Sequence, residues 1–203
     1  MEDKLELRMY GIVPYNISPI QQAIQFGHAV VEYGQMVKRE KTDDVLRTNL
    51  LAGRYNDWAD NWKTFIILNG GTSNHSINRY HDVEFIGSME KHLETLNEIG
   101  IKNATFYEPD LNDMLSAVVF IVDERVFNRK KYLDLGDWIW ANRGEYLADR
   151  MITTQRIEKM YRNGYFQTDA NKEEREIYTE WVNSIGGDKN VRLRDFLSGL
   201  KLA

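Results

Sequence analysis

Ser18-Pro19-Ile20-Gln21-Gln22-Ala23-Ile24-Gln25-Phe26-Gly27-His28-Ala29 decides how this chain is read. Ser18 is a good N-cap, since its hydroxyl can accept from a free N–H of the first helical turn. Pro19 suits the first helical position, where its missing N–H costs no hydrogen bond. A helix is therefore expected from Pro19 to about residue 38. Ile20, Ile24, Gly27, Val31 and Gly34 mark one face at helical spacing, with Ala23, Val30 and Val37 beside it. The two glycines on that face would allow close approach to a sheet. Gln21, Gln25, His28 and Glu32 fall at i, i+4, i+7 and i+11 and make a polar stripe. Such a stripe either faces solvent or forms one wall of a site.

Working outward, residues 5–13 read as a strand that Pro14 and Asn16 stop. Thr42-Asp43-Asp44 opens a second helix over 45–62. Residues 64–68 form a short apolar run, hence a buried strand, ended by Asn69-Gly70-Gly71. The 72–87 stretch is polar, with 83–86 as an extra strand. Ser88 is expected to cap a third helix carrying Met89, Leu93, Leu96 and Ile99, which Gly100 ends. Residues 104–107 and 117–122 read as strands, the second being the strongest in the chain. Strands alternating with helices predict an α/β fold, a layered mixed sheet of about four strands flanked by helices. The short 109–113 link makes the last two strands an antiparallel pair. From Trp138 to Leu197 the large apolar residues recur at helical spacing. Residues 1–129 are thus expected to form the α/β domain and 130–203 a helical extension or subdomain.

The composition narrows the chemistry. With 203 residues, 42% hydrophobic and 28% charged, the chain is long enough to bury its own core. It has no cysteine, which excludes disulfides, thiolate nucleophiles and Cys-ligated zinc or iron–sulfur sites. No run nears the roughly 18 apolar residues of a membrane span. Met1-Glu2-Asp3-Lys4 is charged, with no signal-peptide core, so no membrane contact and a cytoplasmic location are expected. The net charge of −5 argues against broad nucleic-acid binding, and Arg129-Lys130-Lys131 reads as solvated surface.

Candidate chemistry gathers in Glu108-Pro109-Asp110-Leu111-Asn112-Asp113. Carboxylates at a strand end can act as general bases, metal ligands or partners for donor groups, and the same residues also suit a plain polar turn. Glu108 is the favoured member, because it ends a strand just before Pro109. The spacing is not that of an EF-hand. His75, His81 and Asp82 share one loop, but their spacing is not diagnostic of zinc, and neither a metal nor a cofactor is expected. His92 reads as a boundary residue. Asn69-Gly70-Gly71-Thr72-Ser73 lacks the marks of a P-loop or dinucleotide fingerprint, and no serine has a credible His and acid partner.

The first helix resembles that of the type 2 peptidyl-tRNA hydrolase family, whose pattern there is approximately G-K-x-A-A-Q-C-S-H-A. Ala23, Gln25, His28 and Ala29 match, over a resemblance spanning about residues 5–127. The order of elements fits, and Glu108 stands near the family's aspartate. The Glu-Pro-Asp-Leu opening looks like shortened, phage-encoded relatives. The resemblance implies hydrolysis of an ester or related nucleotide-linked bond. Glu108 or Asp110 would activate water and His28 would relay a proton. Gln21, Gln22, Gln25 and Asn112 would bind substrate, and helix N–H groups near Ser18 would hold an anion. The family's catalytic lysine, however, falls at Gln21. Lys63 or an arginine of 125–162 would have to replace its charge. The alternative is a non-catalytic module on the same fold, binding a nucleotide, tRNA or a protein, in a sequestering or inhibitory role. The aromatic C-terminal helices offer a surface for a protein partner or a second copy.

Overall fold

The computed structural model describes residues 4–39, 45–73, 76–77, 84–85, 87–143, 147–163 and 166–203. β1 (Leu7–Val13) leads into α1 (Pro19–Arg39) and α2 (Val45–Asp57), which continues as a π-helical turn at Trp58–Trp62. β2 (Thr64–Asn69) follows, then a small antiparallel pair, β3 (Ser76–Ile77) and β4 (Glu84–Phe85). Next come α3 (Ser88–Ile99), β5 (Asn103–Glu108), a 3-10 turn at Pro109–Leu111, β6 (Met114–Asp123) and α4 (Glu124–Phe127). The remainder is α5 (Leu135–Asn142), α6 (Leu147–Arg162), α7 (Phe166–Asp169), α8 (Lys172–Ser184), α9 (Asp188–Ser198) and β7 (Lys201–Leu202). The chain divides into two compact units, Met1–Glu124 with Leu193–Ala203, and Arg125–Arg192. The last residues of the expected 130–203 extension thus return to the first unit.

The first unit is an α/β fold around a five-stranded mixed sheet of order β5-β6-β1-β2-β7. β1 and β2 run parallel, from Arg8 beside Thr64 to Val13 beside Asn69, joined by the α1–α2 crossover that parallel strands require. β6 is antiparallel to both β1 and β5. The fifth strand, β7, was not expected. It pairs with β2 through Leu68–Leu202 and Asn69–Lys201, and two residues carry too little pattern to read as a strand.

α1 lies on the face made by Leu7, Met9, Val13, Ala117, Val119 and Ile121. A Cβ on Gly11 would sit 2.2 Å from the Phe26 ring, so the absence of a side chain there is what lets α1 close on β1. On the alternate face Tyr10 stacks on Phe120 at 6.1 Å, and Met89 of α3 packs near Ile12 and Gly70. Gly100 ends α3 in the left-handed conformation, as its sequence position predicts. The expected cap at Ser88 is displaced. Gly87 holds the N-cap position, and Ser88 Oγ instead accepts from Thr72 N at 2.7 Å.

The expected contact face of α1 is also corrected. Ile20, Ile24 and Val31 stand 71%, 48% and 60% exposed, while Gln25, Phe26, Ala29, Tyr33 and Gly34 are buried. Phe26, Ala29 and Tyr33, with Val30, Met36 and Val37, offer the sheet a larger apolar arc than the isoleucine row does. Turning that arc inward also buries Gln25, which is tolerable only because its amide finds partners.

The second unit is helical. Its core is built from Leu135, Ile139, Ile157, Met160, Phe166, Ile177, Tyr178, Trp181 and Ile185. Asn171 and Glu174 form a reciprocal capping box at the start of α8, and Trp181 Nε1 donates to Leu133 O at 3.0 Å.

Candidate functional site

Three chain segments meet at the carboxyl end of β1, the edge where α/β sheets commonly place ligands. α1 starts there, β5 ends there and β6 begins there. Gln25 Nε2 donates to Glu108 Oε2 at 2.5 Å. Ser116 Oγ lies 3.1 Å from both Gln25 Oε1 and Phe106 O, with one proton to share between them. An ionised carboxylate only accepts, so the Gln25 amide must turn its nitrogen to Glu108 and its oxygen to Ser116. Gln25 is 5% exposed and Ser116 fully buried, so the amide is held from both ends.

Ser116 reaches this position through a β-bulge. Phe106 pairs with Ala117 and Tyr107 with Leu115, leaving Ser116 as the extra residue between them. A bulge re-aims the side chain it carries, here toward α1. The sequence reading missed Ser116. A lone hydroxyl inside the apolar run of β6 was the available signal, because a buried polar side chain needs a partner.

The hairpin beyond Glu108 is tightly determined. Glu108 is the N-cap of the Pro109–Leu111 turn, and its Oε1 accepts from Asp110 N at 3.4 Å. Asn112 and Asp113 follow in the left-handed region, at φ 56° and 54°, which their residue types tolerate better than most. Asp110, Asn112 and Asp113 are exposed, and Glu108 is half-buried. His28 is exposed too, and its ring lies 4.5 Å from that of Phe106, one helical turn from Gln25.

Gln21 and Gln22 make local hydrogen bonds at the start of α1. Ser18 N donates to Gln21 Oε1 at 3.0 Å, while Ser18 Oγ accepts from Gln21 N at 3.3 Å, a capping box at the start of α1. Gln22 Nε2 donates to Pro14 O at 2.9 Å, back toward the end of β1. The expected anion site at this helix start is also largely used up. Gln22 N bonds Ser18 O, Gln21 N bonds Ser18 Oγ, and Pro19 has no N–H, which leaves Ile20 N. Lys63, named as a source of positive charge, does not stand at this edge of the sheet. It precedes Thr64 at the opposite end of β2, about 17 Å of strand from Asn69. The arginines of 125–162 lie in the second unit.

His75, His81 and Asp82 fall outside the described residues, and no group of three His, Asp or Glu suited to a metal occurs among those described. His92 has a structural setting. Burial pushes its pKa below the ordinary histidine value, against a weaker opposing hydrogen bond with the Gly70 backbone. Its ring meets Phe196 edge-on at 5.7 Å. An open groove elsewhere, on α8, is lined by Ala170, Lys172, Arg175, Glu176, Thr179 and Glu180, and lies apart from the Glu108 cluster in sequence and unit. No helix among the described residues is long and apolar enough to cross a membrane. Comparison with models of known protein families finds no matching family, and comparison with curated proteins finds no matching relative.

Proposed function

We propose that this chain is a hydrolase of the type 2 peptidyl-tRNA hydrolase kind, acting in the cytoplasm on an ester or related nucleotide-linked bond. The observation that supports it is the hydrogen-bonded line Ser116–Gln25–Glu108. Glu108 is half-buried, with the Gln25 amide on Oε2 and the Asp110 N–H on Oε1. It would accept a proton from a water attacking the ester carbonyl, and His28 would pass a proton to the departing alkoxide oxygen, which leaves as a hydroxyl. Asp110 and Asn112, on the rim, would meet hydroxyl groups of the substrate.

A second reading has its own support. Gln21, at the position of the family's lysine, is neutral and engaged in the helix cap. A site that must stabilise a developing oxyanion without a cation loses orders of magnitude in rate. On this reading the same edge binds a tRNA end, a nucleotide-like ligand or a protein without turning it over.

One experiment separates them: release of label from an N-blocked aminoacyl-tRNA, wild type against Glu108→Gln. Turnover that falls at least a hundredfold in the variant supports the hydrolase. Turnover equal in both removes Glu108 from the reaction. Binding without turnover in the wild type supports the second reading.

A further inference from the structure

β5 forms one border of the five-stranded sheet. β6 pairs with it on one side, and among the described residues no strand pairs with the other. A border strand presents a row of backbone N–H and C=O groups, and proteins guard such rows with proline, lysine, a bulge or a very short strand. Asn103-Ala104-Thr105-Phe106-Tyr107-Glu108 has none of these guards. The bulge that interrupts the ladder adds its residue to β6, so β5 keeps a regular alternation along its length.

The two ends of this border carry opposite charge. Glu108 closes the strand, and Lys102, which is exposed, stands one residue before it. Ala104 and Phe106 pack on the α1 side of the sheet, and Glu108 meets Gln25 of α1 on that same side. A two-fold axis through Thr105 would lay a second copy of β5 antiparallel along the border without exchanging the faces of the sheet. Ala104 then opposes Phe106 of the second copy, Asn103 opposes Tyr107, and Lys102 opposes Glu108 at both ends. Small meets large, Tyr107, which is 47% exposed, gains cover, and no like charges face each other. A shift of two residues either way parts Lys102 from Glu108. A shift of one sets the α1 side of one copy against the other side of its neighbour.

We propose that β5 pairs with β5 of a second copy in this register, extending the sheet across a two-fold and placing Lys102 of the second copy against Glu108. Glu108 keeps its bonds from Gln25 and Asp110, since a carboxylate has about four acceptor sites. Each candidate site, in which Gln21 is neutral, thereby receives a cation from the other chain. A second copy carries the matching lysine and glutamate at the right separation, which an unrelated strand does not. The proposal rests on the strand and its end charges and is independent of the hydrolase reading.

The test is sedimentation equilibrium of the full chain over a wide concentration range, with a dimer as the expected result. Lys102→Glu sets like charges opposite each other at both ends and weakens the dimer about tenfold or more. Glu108→Lys does the same with the opposite sign. An equimolar mixture of the two variants has opposite charges at both ends again, and dimerises more tightly than either variant alone. Circular dichroism of each variant checks its fold. Hydrogen exchange on the wild type needs no variant: amides of residues 103–108 gain protection as concentration rises. A wild-type chain that stays monomeric overturns the proposal. So does a dimer unmoved by Lys102→Glu, or one whose formation leaves exchange at 103–108 unchanged.

Discussion

Gln25 and Glu108, 83 positions apart in the chain, share a hydrogen bond between α1 and the end of β5. The contact joins a buried amide to a half-buried carboxylate. Replacing Glu108 with Gln keeps size and shape but removes the charge. If the hydrolase reading holds, the expected result is an intact fold with ester cleavage reduced about 10²-fold or more. Rates measured beside thermal denaturation check both halves of that statement.

Ser116 gives a sharper test of the buried line. Ser116→Ala removes the donor to Gln25 Oε1, leaving a buried acceptor unsatisfied at a cost of about 1–3 kcal/mol. Ser116→Thr keeps the hydroxyl and should recover part of that loss. Urea denaturation of both variants measures the difference, and equal midpoints would show that the hydroxyl contributes nothing.

Gln21→Lys asks whether the missing cation can be restored. The substitution removes the acceptor that Gln21 offers Ser18 N, with a loss of about 0.5–2 kcal/mol typical of a helix cap. If the hydrolase reading holds, cleavage rises despite that loss. A stable variant with no gain in rate would count against a simple repair of the family mechanism.

Gly11 and Phe26 set the distance between α1 and the sheet. Gly11→Ala would place a methyl carbon 2.2 Å from the edge of the Phe26 ring, so one of them must move. Overpacking of this kind costs about 1–3 kcal/mol. Gly11→Ala with Phe26→Leu should regain part of it, and a double-mutant cycle in urea reads the coupling.

His92 predicts a pH dependence of stability. Its folded-state pKa lies below the ordinary value of 6.5, chiefly through burial, so the fold favours the neutral ring. That contribution is full above about pH 6.5 and is lost as pH falls toward the folded value. His92→Gln should flatten this part of the profile. Denaturation midpoints for both proteins between about pH 7.5 and pH 5 would show it, and parallel curves would refute it.

Much of the fold was legible because its signals are local. Pro19, the Asn69-Gly70-Gly71 turn, Gly100 and the apolar run of β6 each act within a few residues. The inward face of α1 was not legible, since it depends on Gln25 finding Glu108 and Ser116 far along the chain. A glutamine on the core side contradicts periodicity until its partners are known. Ser116 was hidden by a bulge, which shifts the facing rule by one residue. Gln21 was legible in part. Ser18-x-x-Gln21 has the spacing of a capping box, and reading it so would have assigned the glutamine to the helix start before any ligand.

The pairing of β7 with β2 also orders events in time. Residues 125–192 are made between the two parts of the first unit, so its sheet gains the final neighbour of Leu68 and Asn69 only after the helical unit has been synthesised. A truncation before Leu193 would leave Leu68 and Asn69 on that border of β2 without their strand partner, inviting sheet-to-sheet aggregation. Loss of Ala203 would also remove the N–H that bonds Ile67 O, loosening the same border.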